Sequence, residues 1–208
     1  MNRILFQGDS ITDASRNKDI LEPNNPQALG VGYANMVAAT LLKDKPEQNL
    51  AILNRGISGH RVVDLYARWK MDAINLKPDL ISILIGVNDL WHEMSRQNGV
   101  EPERYKTIYT LLLELTKERL PDTQLVLCEP FCLPCGEVTE IWLEDMKKRQ
   151  AIVKDLAKSF EATFVPFQSM FDEAQKRAPA EYWAKDGVHP SPAGHALMAQ
   201  TWLETVKL

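Results

Sequence analysis

Short apolar runs, each closed by a polar or glycine-containing turn, alternate along this chain with longer stretches in which apolar residues recur at helical spacing. The runs Arg3 to Gln7, Leu50 to Asn54, Asp79 to Ile85, Gln124 to Cys128 and Thr163 to Val165 read as strands. Most are apolar on both faces, as a parallel sheet covered by helices requires. Between and after them the period predicts helices over Tyr33 to Leu42, Val62 to Leu76, Glu103 to Leu120, Thr139 to Phe160 and Pro192 to Val206. Regular strand and helix alternation predicts an α/β sandwich with helices on both sheet faces. No composition shift, repeat or low-complexity tract interrupts it, so residues 1–208 are expected to form a single domain.

Composition narrows the partners more than the fold. Twenty-four Lys plus Arg against 28 Asp plus Glu give a formal charge of −4, and the basic residues never cluster into a long run. Nucleic acid is therefore not an expected partner. No apolar stretch approaches the ~20 residues of a membrane span, so no membrane partner is expected. The chain opens on Met1-Asn2-Arg3-Ile4-Leu5-Phe6 without the look of a signal peptide. Cys128, Cys132 and Cys135, an odd number in one stretch, make poor material for a disulfide framework. They also lack a fourth ligand for zinc, so they read as reduced thiols and the expected compartment is cytoplasmic.

In parallel sheets the ligand sits beyond the carboxyl ends of the strands, so the residues following each apolar run carry the chemistry. After the first comes Gly8-Asp9-Ser10-Ile11-Thr12, which puts a free serine hydroxyl on a strand-to-helix corner. After the second comes Asn54-Arg55-Gly56-Ile57-Ser58-Gly59, whose glycines let backbone N–H groups approach a ligand. After the third comes Gly86-Val87-Asn88-Asp89, a side-chain amide at a strand end, and before the last helix Asp186-Gly187-Val188-His189-Pro190 pairs an acid with an imidazole. Serine is a weak nucleophile until a base takes its proton, and histidine is a dependable base when a partner fixes its tautomer. Asp186 and His189 supply that pair, with the reach to Ser10 left to the fold. A tetrahedral acyl-transfer intermediate also needs donors for its oxyanion, each worth about 3 kcal/mol. The Ser10 N–H, the Gly59 N–H and the Asn88 amide are candidates.

The blocks GDSIT, NRGISG, GVND and DGVH, in that order, resemble those of the SGNH hydrolases, or GDSL-type esterases, over almost the whole chain. The resemblance implies a flavodoxin-like, three-layer α/β/α sandwich with a five-stranded parallel sheet, and no metal or other cofactor. It implies Ser10 as nucleophile, His189 as base, Asp186 as its orienting acid, and an oxyanion hole of Ser10, Gly59 and Asn88. Ile11 stands where leucine is common, a conservative apolar exchange. The strings ALGVGY, DLYARW, IGVNDLW and DGVHPSPAGH are further similar to bacterial intracellular acetyl-xylan and acetyl-xylooligosaccharide esterases of this group. The activity so implied is removal of O-acetyl groups from short acetylated xylo-oligosaccharides. The alternatives are a lysophospholipase or acyl-thioesterase using the same triad, or a binding module in which the triad is idle.

The expected partner is thus a small acetylated sugar, with assembly into a homo-oligomer left open. The polar stretch Asp13 to Gln27 suits such a substrate at the rim of the site, and no apolar insertion lies between the blocks to build a lipid groove. Trp91 and Trp183, each three residues from a catalytic candidate, are candidate stacking faces for a sugar, whereas Trp69, Trp142 and Trp202 read as packing. Asp9 is a candidate substrate contact; a helix cap is the reading its motif would carry equally if it stood alone. His60 reads as a substrate contact or, at least as readily, a solvated loop histidine, and His92 and His195, in helical stretches, read as surface or packing residues.

Overall fold

The computed structural model describes residues 2–208. Strands β1 (Arg3–Gly8), β2 (Ala51–Asn54), β3 (Leu80–Leu84), β4 (Gln124–Cys128) and β5 (Thr163–Val165) form one parallel sheet in the order β2-β1-β3-β4-β5. Parallel neighbours need long crossovers, and helices supply them. Short helices α1 (Ser10–Asp13) and α2 (Pro26–Leu29) precede α3 (Tyr33–Asp44), which leads to β2. Helix α4 (Val62–Asp72) connects β2 to β3; α5 (Val87–Arg96) and α6 (Pro102–Arg119) connect β3 to β4; α7 (Glu140–Ser159) connects β4 to β5. The chain ends through α8 (Phe167–Ala174), α9 (Ala180–Trp183) and α10 (Pro192–Thr205).

Successive side chains of a strand point to opposite faces, so each strand feeds two cores. Ile4, Phe6, Ile52, Leu80 and Val126 pack toward α3 and α10, while Leu5, Leu53, Ile81, Leu125 and Leu127 pack toward α4, α6 and α7. The result is the three-layer α/β/α sandwich with a five-stranded parallel sheet that the motifs implied. The two fully buried indoles find partners. The Trp202 indole donates to Ser82 Oγ at 2.9 Å, and the Trp69 indole donates to Thr116 Oγ1 at 2.8 Å. An unmatched buried donor would cost about 1–3 kcal/mol.

The strand order also explains where a site can form. From β1 the chain passes to β2 on one side, then crosses back to β3 on the other, leaving a crevice beyond the carboxyl ends of β1 and β3. The helix expected over Val62 to Leu76 breaks after Asp72. Ala73 leaves helical geometry and a single 3₁₀ turn, Ile74–Leu76, closes the segment at Lys77, where Pro78 disfavours the α conformation. Helix α8 was not expected from the hydrophobic pattern, and α5 was expected only as a helical stretch around His92.

Candidate active site

Strand β1 delivers Ser10 as the first residue of α1, capped by Asp9, whose Oδ1 accepts the Ile11 N–H at 3.0 Å. The Ser10 Oγ lies 2.9 Å from His189 Nε2, and His189 Nδ1 lies 2.6 Å from Asp186 Oδ2. The other oxygen of Asp186 accepts the N–H groups of Val188, at 2.9 Å, and His189, at 2.7 Å. Burial alone would raise the Asp186 pKa, but the hydrogen bonds from the His189 ring and from these backbone N–H groups hold it below the ordinary carboxylate value. Ser191 fixes the end of this loop. Its hydroxyl donates to Tyr182 O at 2.8 Å and accepts the Gly194 N–H at 3.2 Å, capping α10.

The loops after β2 and β3 are tied to the serine corner by buried polar groups. Asn54 donates to Thr12 O and Leu29 O and accepts from Gly56 N–H. Asp13 accepts both the N–H and the hydroxyl of Ser58 at 2.9 Å, and pairs with Lys18 at 2.8 Å. Burial would raise the Asp13 pKa, yet Lys18 and the two Ser58 donors hold it low. From α4, Arg68 donates to Gly8 O, Arg55 O and His60 Nδ1, joining the ends of β1 and β2. Gly59 sits at φ +82°, and a Cβ there would meet no atom within 4 Å, so its backbone borders open space. The Asn88 Nδ2 donates one hydrogen to His60 O at 3.2 Å, leaving its second hydrogen available.

Ser10 and His189 open on a cleft of about 460 Å³, lined also by Ile11, Ala14, Ser15, Val31, Ser58, Pro190, Pro192 and His195. A slightly larger cleft, about 510 Å³ and lined by Cys132, Leu143, Met146, Gln150 and Gln168, contains none of the reactive groups. Volume is thus a poorer guide to the site than chemistry. Cys128, Cys132 and Cys135 are free and buried, and burial pushes the Cys128 and Cys132 thiols up to about 12. Among the described residues, no three His, Cys, Asp or Glu side chains gather as a metal site, and no helix is long and apolar enough to cross a membrane.

Several expected substrate contacts lie elsewhere. Trp91 is close, its ring centroid 5.7 Å from that of His189. Trp183, however, is only 6% exposed and its indole donates to Ala178 O at 3.1 Å, so it is held inside the fold and offers a sugar no face. Asp13 and Arg16, read as parts of a polar rim, point inward: Asp13 to Ser58, and Arg16 to Gly56 O at 2.8 Å. Asp9 is likewise a cap and not a substrate contact. It is 1% exposed and its Oδ2 has no hydrogen-bond partner among the described residues.

Burial, with the neighbouring Asp89 carboxylate adding to it, pushes Asp9 up to about 7. A carboxyl whose folded pKa exceeds its unfolded value contributes most stability below the unfolded value, and loses it as pH rises toward the folded one. Asp9→Asn keeps the capping oxygen and removes the titration. Its melting temperature relative to wild type should therefore climb between pH 4 and pH 7, corresponding to up to ~4 kcal/mol, and then level. A difference independent of pH in thermal unfolding would contradict the buried neutral carboxyl.

A serine hydroxyl aligned on an imidazole, itself aligned on a carboxylate, at the crevice of a doubly wound sheet defines a class: hydrolases that attack a carbonyl with a serine oxygen. Comparison with known proteins agrees. The profile of the GDSL-like lipase/acylhydrolase family matches residues 6–197. The chain is 36% identical, over 98% of its length and 93% of the relative's, to an acetylxylan esterase of Geobacillus stearothermophilus. A crystal structure of a Geobacillus stearothermophilus acetylxylan esterase superposes with a TM-score of 0.90 at 34% identity, covering 100% of this chain and 94% of that one. A Parabacteroides merdae structure described as a GDSL-like lipase superposes with a TM-score of 0.96 at 43% identity, covering 98% and 94%. The chain belongs to the GDSL-like lipase/acylhydrolase family, the SGNH hydrolases, and is a carboxylic ester hydrolase.

Proposed function

We propose that this esterase removes O-acetyl groups from short acetylated xylo-oligosaccharides, in the cytoplasm, through an acyl-enzyme. The observation that carries the reading is the continuous relay from Ser10 Oγ through His189 to Asp186, opening on a cleft of modest size. Ser10 attacks the acetyl carbonyl while His189 Nε2 takes its proton and Asp186 stabilises the imidazolium. The oxyanion receives the N–H groups of Ser10 and Gly59 and the second hydrogen of the Asn88 amide. His189 returns the proton to the departing sugar oxygen. Water, activated by the same imidazole, then releases acetate and restores the serine. Trp91, beside His189, offers the sugar an indole face. The 36% identity to an acetylxylan esterase supports the choice of substrate.

The test is a product screen across acetylated xylosides, other acetylated sugars, lysophospholipids and acyl-thioesters, joined to an acyl-length series. A lipid groove would gain up to ~0.8 kcal/mol for each buried methylene, so a lipolytic enzyme improves as the chain lengthens. Here kcat/KM on p-nitrophenyl esters is expected to fall from acetate to butyrate to octanoate, with acetylated xylosides the best natural-type substrates. Octanoate as the better ester would favour the lysophospholipase or thioesterase reading.

A further inference from the structure

We propose that His195 is a substrate-binding residue, its Nε2–H donating in the cleft to a sugar hydroxyl oxygen that neighbours the scissile ester. The assignment rests on the deacetylase reading above. His195 belongs to the first turns of α10 and lines the same cleft as Ser10, His189 and Ser15. Its tautomer follows from geometry. Tyr33 opens α3, where backbone N–H groups lack intrahelical partners, and the Tyr33 N–H points at His195 Nδ1 at 3.2 Å. A backbone N–H can only donate, so Nδ1 accepts and the proton of the neutral ring resides on Nε2.

The ring's position is also specified. A Cβ on Gly32 would stand 2.9 Å from His195 Cε1 and 3.1 Å from Nδ1, so glycine at 32 is what allows the imidazole to lie against the entrance of α3. Nε2 has no hydrogen-bond partner among the described residues, which leaves a fixed donor on a cleft wall. Burial, and then the nearby His189, push the His195 pKa down to about 4, so the ring is neutral at working pH. A neutral donor suits the hydroxyl of a polyol better than a carboxylate or phosphate, and it adds no positive charge to oppose the imidazolium that forms on His189.

The test uses His195→Asn. Asparagine can keep an oxygen where Nδ1 accepts the Tyr33 N–H but cannot reach the place of Nε2. KM for a mono-O-acetylated methyl xyloside should rise about 3- to 10-fold, the worth of one neutral hydrogen bond, while kcat/KM on p-nitrophenyl acetate stays within about twofold. A substrate in which the hydroxyl beside the ester is replaced by hydrogen should cost the wild-type enzyme the same factor and cost the variant nothing further. That arm needs only the wild-type protein, so it stands even if the variant folds poorly. Equal losses on both esters, no change on either, or wild-type indifference to the missing hydroxyl would each overturn the role of His195. Failure of the wild-type enzyme to deacetylate any acetylated xyloside would instead remove the deacetylase reading, and this inference with it.

Discussion

Ser10→Ala is expected to lower turnover of p-nitrophenyl acetate by roughly 10⁴- to 10⁶-fold, and His189→Ala by a similar factor. In the proposed mechanism the two side chains act as a unit: the 2.9 Å contact between Ser10 Oγ and His189 Nε2 would be the route by which the nucleophile loses its proton. On that mechanism, removing either leaves only the proposed oxyanion donors, so the double variant should be little worse than each single one. The fold should be indifferent, because Ser10 Oγ makes no other hydrogen bond among the described residues and the His189 side chain is 46% exposed. Melting temperatures within a few degrees of wild type would separate lost chemistry from lost structure. A Ser10→Ala protein that folds normally and keeps more than about a tenth of the turnover would remove Ser10 as the nucleophile.

The parts legible in the sequence were those whose signal is local. All five strands were visible because runs such as Leu80 to Leu84 are apolar on both faces, which few environments other than a covered sheet tolerate. Helices α3, α6, α7 and α10 were visible through sustained period. Helices α5 and α8 carry the same period in a shorter compass: Val87, Leu90, Trp91 and Met94 in one, Phe167, Met170, Phe171 and Ala174 in the other. Spacing of i, i+3, i+4, i+7 marks both, but in α5 only the stretch around His92 reads as helical because Gly86 to Asp89 also suit a turn, and α8 follows a strand of only three residues.

Orientation is what the chain order withholds. Trp183 stands three residues before Asp186, yet it turns inward, while Trp91 at the same spacing from Asn88 reaches the His189 ring. Asp13 and Arg16 look like solvated charges in a polar stretch, and become braces for the Ser58–Gly59 loop only because that loop is brought to them across the sheet. His195 shows the converse. Nothing local marks it as facing the site, since its orientation depends on a backbone N–H 162 residues away.

Asp186→Asn is expected to be nearly as damaging as loss of the nucleophile, and the loop geometry gives the reason. In the native protein Oδ1 accepts the N–H groups of Val188 and His189, and Oδ2 faces His189 Nδ1. Asparagine must place its oxygen against those two backbone donors, because an amide nitrogen there would meet them donor to donor. Its Nδ2 is then aimed at His189 Nδ1. An amide N–H forces Nδ1 to become the acceptor and moves the ring proton to Nε2, where it points at Ser10 Oγ in place of the lone pair that should receive the serine proton. A tautomer inverted in this way costs on the order of 10⁴ in kcat. Asp186→Ala imposes no tautomer and leaves the imidazole free to turn, so it should lose less than Asp186→Asn in spite of the cruder truncation. Stability should run the other way, the asparagine variant melting near wild type because both backbone hydrogen bonds persist, and the alanine variant lower because they do not. Measured kcat on p-nitrophenyl acetate for the two variants decides the matter: an asparagine variant more active than the alanine variant would mean that Asp186 acts through its charge alone and not by fixing the proton on Nδ1.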